Sequence, residues 1–385
     1  MIVRALAACA VALALCGCQT IGSAYDRMFG SSTPAVPPTP LETFQPRAEA
    51  YIVWQVGVGG AGKFDFVPVV NGQDVYTASA GGDLFKIDLG SGKTDWRVNT
   101  EAKLSAGPGT DGHTIVVGSS RGEVIAVDAS GKPLWKALIT GEVLSAPVIS
   151  ESVVAARSGD GRIFGLAVQD GKRRWLYQRA LPPLTVRAPA GLTAIPGGIY
   201  SGFAGGKLVA VFMKNGVLAW EATVSVPRGS TELERMADIV GAPLVDGRTV
   251  CAAAYQGRTG CFDAQKGAQI WIRDLSSLVP LSADSRMIYA TDDKGAVHAL
   301  DKTTGASIWK QEKLTGRMVT GPMPLGDYVA VGDYQGYVHF LSRSDGAFAA
   351  RIATDGSAIL QAPVRAGDGV LVQTRNGTLY HIGLR

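Results

Sequence analysis

The strongest constraint on this chain is a phrase that recurs along it at a nearly constant interval. Its clearest copy is Gly295-Ala-Val-His-Ala-Leu-Asp301-Lys-Thr-Thr-Gly305-Ala-Ser-Ile-Trp309: a short apolar run, a turn, and a second run ending on an aromatic anchor. The same phrase runs from Gly82 to Trp96, Gly122 to Trp135, Gly161 to Trp175, Gly206 to Trp220 and Gly257 to Trp271. Two weaker copies begin at Gly336, with Ala350 in the Trp slot, and at Gly377, where the chain ends after the first run. The leading glycines make eight copies, with wider gaps only on either side of Gly206. A period of about 40 residues with several strands per unit specifies a β-propeller and not a helical solenoid.

A proline stands at one fixed distance before the leading glycine in six copies, at Pro68, Pro108, Pro147, Pro243, Pro322 and Pro363. Proline cannot donate to a ladder, so it belongs at a strand start or on an edge strand. The innermost strand of a blade, beside the central channel, is such an edge. Each unit then reads as a Pro-led A strand, a B strand such as Val153-Val154-Ala155-Ala156, a glycine turn, a C strand, a turn, and a Trp-bearing D strand. The eighth copy, Gly377-Thr-Leu-Tyr-His-Ile382, has no residues left for its D strand. Tyr51-Ile-Val-Trp54-Gln-Val56 has the aromatic spacing of an orphan D strand, with Trp54 as far before Pro68 as Trp175 is before Pro189. Pairing the two closes the ring and removes an exposed edge. The expected fold is all-β, an eight-bladed propeller of four-stranded antiparallel blades over residues 51–385, closed by the N-terminal strand.

Residues 1–17 read as a secretory leader: Arg4 supplies the positive end, and Ala5 to Leu15 is an apolar run too short to span a bilayer. Leu15-Cys16-Gly17-Cys18 resembles the bacterial lipobox. That resemblance implies cleavage before Cys18 and its acylation, with enough acyl chains for stable anchoring. Gln19, not Asp, follows the cysteine, which is compatible with outer-membrane sorting. Residues 18–50, with the Pro-rich run Ser31 to Pro40, read as the lipidated cysteine and a flexible tether.

A net charge of +4 without any long Lys/Arg run gives nucleic acid binding no electrostatic basis. Once the leader is removed and Cys18 acylated, Cys251 and Cys261 are left, on B and C strands of one blade, at an even separation. They are placed to oppose each other, and an oxidising periplasm permits a disulfide; two buried free thiols are the alternative. His298 and His339 share one repeat position, where other copies carry Phe85, Ile125, Phe164 and Val209, and so read as packed side chains, not metal ligands. Asp88, Asp128, Asp263 and Asp301 recur where the C–D turn starts, where an aspartate satisfies local backbone donors. No hydrolase, zinc-protease or P-loop motif is present, so no catalytic residue, metal or cofactor is expected.

The places where the repeat breaks carry more functional information. The interval from the D-strand Trp to the next A-strand Pro is the same for Trp96–Pro108 and Trp135–Pro147. It lengthens slightly for Trp175–Pro189 and nearly doubles for Trp220–Pro243. Successive blade links lie side by side, so adjacent insertions build a platform on one face. The first, Leu181-Pro-Pro-Leu184-Thr-Val186-Arg187, offers an arginine beside apolar side chains. The second runs from Val226 to Asp238, and its Thr231-x-x-Glu234 is a capping-box pattern that predicts a short helix. An Arg among exposed apolar residues has hot-spot composition for a protein partner; an Arg187–Asp238 salt bridge stapling the loops is the other reading, and the two are compatible.

Together the lipobox, Trp54-Gln-Val-Gly-Val-Gly59, Gly229-Ser-Thr-Glu-Leu-Glu-Arg-Met236 and Ala254-Tyr-Gln-Gly257 resemble the BamB family, lipoproteins of the outer-membrane β-barrel assembly machinery. The resemblance spans essentially residues 18–385. It implies a non-enzymatic propeller facing the periplasm from the outer membrane, docked on the POTRA domains of the barrel-inserting subunit and aiding outer-membrane protein folding and insertion, with unfolded outer-membrane proteins as further candidate partners. It also implies that Leu184, Val186, Arg187 and Asp238 bind the partner; Val240 departs from the pattern by standing where an acid is expected. The competing readings are a quinoprotein-dehydrogenase-like enzyme, whose repeats are similar, and a propeller binding a ligand in its channel. The adjacent Cys-Cys pair and long active-site insertions of quinoprotein dehydrogenases are not visible in the sequence.

Overall fold

A computed structural model describes residues 37–186 and 190–385. Eight four-stranded antiparallel sheets follow one another round a ring, each ordered A–B–C–D from the channel outwards. Blades 1 to 7 occupy residues 69–99, 104–138, 148–177, 192–223, 244–273, 282–311 and 323–353. Blade 8 takes its A, B and C strands from Val364–Ala366, Gly369–Gln373 and Thr378–Leu384, and its D strand from Ala50–Gly57. That last pairing runs antiparallel from Ala50 opposite Leu384 to Gly57 opposite Thr378, so the two chain ends close the ring as the sequence requires. Five of the repeated prolines immediately precede an A strand, and Pro108 lies within one. The buried B and C strands supply the core, which lies between successive blades.

The Gly…Gly…Trp phrase is a blade-to-blade clasp. Each D-strand Trp donates its indole N–H to a backbone carbonyl in the C–D turn of the next blade, seven residues after that blade's leading glycine. Trp96 reaches Ala129 at 3.0 Å, Trp175 reaches Met213 at 3.0 Å, Trp271 reaches Lys302 at 3.0 Å, and Trp54 carries the pattern across the closure to Leu89 at 2.8 Å. The indole lies on a turn glycine: a Cβ on Gly305, at φ +71°, would stand 2.7 Å from Trp271. That position therefore needs glycine for both its left-handed backbone and its missing side chain.

The one Trp slot filled by alanine now has a physical reason. Ala350 of blade 7 faces blade 8, whose C and D strands come from opposite chain ends and have no turn between them. Phe340 stands opposite Ala350 and fills volume within blade 7. The join is made by the N-terminal segment instead. Arg47 N–H donates to Ala349 O at 2.8 Å, while Glu49 and Arg385 exchange backbone hydrogen bonds of 2.7 and 3.0 Å.

Residues 37–49 thus differ from the expected tether. Thr39 bonds Thr315 O through its backbone N–H at 3.1 Å and its hydroxyl at 2.9 Å, and Phe44 stacks on Phe348 with centroids 5.4 Å apart. A Pro-rich composition signals an extended chain, but an extended chain can be pinned when its carbonyls meet fixed donors. Arg317 and Arg351 supply them, donating to Thr39 O and Glu42 O at 3.2 and 3.0 Å. The leader, Cys18 and the chain up to residue 36 lie outside the described residues.

Candidate partner-binding platform

In a four-stranded meander the B–C turns and the D–A links emerge on one face. Both lengthened links, after blade 3 and after blade 4, open there. The first is held by Leu181, half-buried against the blade 3–4 core and lying over Gly161. Leu184 follows at 39% exposure, and Val186 is half-buried. The second link carries Val226 and Leu233, 63% and 62% exposed, then turns inward at Ala237 to Val240, all buried. Ile239 enters the blade 4–5 core with Tyr200, Leu208 and Phe262, and occupies the space a Cβ on Gly202 would need.

Asp238 joins the two links. Its carboxylate accepts the Val186 N–H at 2.7 Å and the Gly205 N–H at 3.1 Å, while its carbonyl accepts the Tyr255 N–H at 2.8 Å. It is 3% exposed. The sequence groups Asp238 with the partner-contacting residues; in the structure each of its carboxylate oxygens accepts a fixed amide, so it positions both links from beneath the surface. Arg187 lies outside the described residues, and with it the Arg187–Asp238 bridge. Val240, the departure from the family pattern, is buried beside Asp238.

The capping box forms without its helix. Glu234 Oε2 accepts from Ser230 and Thr231 N–H at 2.8 and 3.1 Å, and the Thr231 hydroxyl accepts from Glu234 N–H at 3.2 Å. One turn follows, with Arg235 N–H to Thr231 O at 3.1 Å, before Ala237 is drawn into the core. Burial of the following residues ends the turn where propensity alone would extend it. The backbone and hydroxyl donors hold the exposed Glu234 carboxyl below the usual range.

Cys251 and Cys261 face each other on the B and C strands of blade 5 and are disulfide-bonded, with Cα atoms 4.1 Å apart. His298 and His339 each sit against an aspartate, Asp292 at 2.9 Å and Asp333 at 3.0 Å. Among the described residues no group of three His, Cys, Asp or Glu side chains is placed to hold a metal ion.

One residue of this face escaped the sequence reading. Arg157, 7% exposed, ends the blade 3 B strand and lines a concavity with Ser145, Leu181, Val186 and Asp238. It donates to Ser201 Oγ and Gly202 O of blade 4, and its guanidinium lies 4.5 Å from the Phe203 ring centroid. Burial pushes its pKa down to about 10, which leaves it cationic at neutral pH. The signal was present: four residues before the leading glycine, the other copies carry Ala78, Gly118, Gly202, Ala253, Thr291, Gly332 and Gln373.

The family model described as outer membrane protein assembly factor BamB matches residues 80–311. The chain belongs to the BamB family. It is 43% identical to the outer membrane protein assembly factor BamB of Bordetella pertussis over 368 residues, 95% of this chain and 93% of that protein. The crystal structure of BamB from Moraxella catarrhalis superposes with a TM-score of 0.80 at 27% identity, covering 87% of this chain and 99% of that one. A quinohemoprotein alcohol dehydrogenase from Comamonas testosteroni has a TM-score of 0.69 at 13% identity, over 86% of this chain and 76% of that one; this is a likeness of fold alone. Within the BamB family the eight-bladed ring is therefore the scaffold, and the two long links are this chain's main departures from its own repeat.

Proposed function

We propose that this protein is a non-enzymatic, lipid-anchored scaffold of the outer-membrane β-barrel assembly machinery. In this reading Cys18 carries the lipid, the ring faces the periplasm, and the two long links dock on the POTRA domains of the barrel-inserting subunit. The observation that carries the proposal is the joined pair of links: exposed Leu184, Val226 and Leu233 project from a base that Asp238 fixes from within. A prearranged apolar surface loses little freedom on binding, which is what a docking site needs. Family membership supports the assembly role, since the relatives are named as outer membrane protein assembly factors. Arg187, adjoining Val186, is proposed to supply the charged hot spot of the same surface.

The test is a calorimetric titration of the mature chain against the purified POTRA domains from the same organism. Wild type should bind saturably, whereas Arg187→Glu and Leu184→Glu should lose binding while keeping a wild-type circular dichroism spectrum. Absence of binding by folded wild type would overturn the proposal.

A further inference from the structure

Arg157 holds a charge that its structural task does not require. Its hydrogen bonds run to a serine hydroxyl and a backbone carbonyl of the next blade, and both acceptors are neutral. At the same register position in blade 8, Gln373 performs the matching stitch to blade 1. Gln373 donates to Ala78 O at 3.1 Å and accepts from the Thr77 hydroxyl. A neutral amide therefore suffices to link blades there. A buried cation without a counter-charge is costly, and proteins keep one only where something compensates it.

Among the described residues nothing on this face compensates Arg157: it forms no ion pair, and burial is the only cause that moves its pKa. Among the described residues Asp238 is the one acid lining the concavity; its two oxygens accept the Val186 and Gly205 amides, and no Coulombic influence of it reaches Arg157. Both of its hydrogen bonds leave from Nη1, and Arg157 is among the residues that line the concavity. Phe203 backs the guanidinium at 4.5 Å, and the contacts to blade 4 limit its rotation, so a planar donor fork is held in the lining of a recess. Such a fork matches a carboxylate with two parallel hydrogen bonds.

We propose that this recess takes up an aspartate or glutamate side chain of the docking protein, paired with Arg157. The inference rests on the scaffold reading above. The recess shares Val186 and Asp238 with the link platform, so a partner seated on Leu184 and Val186 lies within reach of it. The carboxylate supplies the missing counter-charge, and the docked partner excludes the water that would otherwise screen the pair.

Arg157→Gln separates the charge from the stitch, because glutamine is what blade 8 uses. With the full mature chain in detergent, Arg157→Gln should melt with wild type but bind the POTRA domains about 30-fold more weakly or worse. Its binding should also depend less on ionic strength. Arg157→Lys, which keeps the charge but loses the fork, should fall between the two. N-acetylglutamate amide probes the recess without the partner: it should raise the melting temperature of wild type and leave Arg157→Gln unmoved. Wild-type affinity in Arg157→Gln, alongside lost binding in Leu184→Glu, overturns the recess while leaving the scaffold standing. If wild type itself does not bind, the scaffold reading falls and the assignment of the carboxylate to that partner falls with it, whatever the amide probe does.

Discussion

Arg317, in the link before blade 7, and Arg157, at the end of the blade 3 B strand, are both buried on the turn-and-link face, yet among the described residues only Arg317 has a counter-charge. All three nitrogens of the Arg317 guanidinium have partners. Asp333 accepts its Nε at 2.8 Å and its Nη2 at 2.7 Å, Gln335 accepts at 2.6 Å, and Thr39 O closes the set from the N-terminal segment. His339 donates to Asp333 and accepts from Arg351 Nε at 3.0 Å, which fixes its neutral tautomer. Arg157 has two neutral acceptors, an aromatic face and an open recess. The first arrangement is finished within the chain and belongs to stability. The second is finished only by something outside it, which is the signature of a surface kept for a partner.

The comparison breaks most sharply at Asp333. Asp333→Ala should cost about 3–5 kcal/mol in urea unfolding, because it leaves a buried guanidinium without its anion. The disulfide sits in blade 5 beside the platform, and replacing both Cys251 and Cys261 with alanine should cost about 2–3 kcal/mol by releasing a short closed loop in the unfolded chain. The platform should then lose stability without losing its partner, since neither cysteine is exposed.

A pH titration sharpens the comparison further. Burial holds the pKa of His339 below its ordinary 6.5, with Arg351 and Arg317 adding to the effect against the opposing pull of Asp333, and burial acts likewise on His381. The unfolded chain therefore takes up protons at pH values just below 6.5 that the folded chain does not. Stability should be at its full value above that pH and decline as the pH falls toward the folded value. Asp333 and Asp292, both held below the usual carboxylate range, extend the loss at still lower pH. His339→Gln should flatten the first part of the decline in denaturant midpoints measured across pH. The smallest expected change is the most informative: Arg157→Gln should alter stability by less than about 1 kcal/mol, whereas a midpoint drop as large as that of Asp333→Ala would make Arg157 a structural residue.

Legibility in the sequence followed the same division. The ring, its eight units, the Pro-led inner strands and the opposed cysteines could be read from one chain because each is written in local period and spacing. The clasp of Trp on the next blade's turn glycine was visible as repeat grammar, although its acceptor carbonyl was not. The two long links could be found by counting residues between Trp and Pro. Their chemistry could not. Asp238 looks like a surface acid in sequence and is buried, because Val186 and Gly205, 52 and 33 residues away in the chain, turn their amides onto it. Thr231 and Glu234 predicted a helix, and the pull of Ala237 and Ile239 into the core stops it after one turn. Residues 37–49 read as tether because nothing near them in sequence reveals Thr315, Phe348 or Arg385 as partners.

What the sequence determined by itself is the architecture, since a regular blade-length period and a missing last strand admit one closed ring. What only the tertiary structure decided is which charges are satisfied. Arg317 meets an aspartate 16 residues later and a carbonyl 278 residues earlier, while Arg157, among the described residues, meets only a neutral hydroxyl and a neutral carbonyl of blade 4. Strand pattern is a property of neighbours along the chain. Charge compensation is a property of neighbours in space, and in a ring those come from other blades.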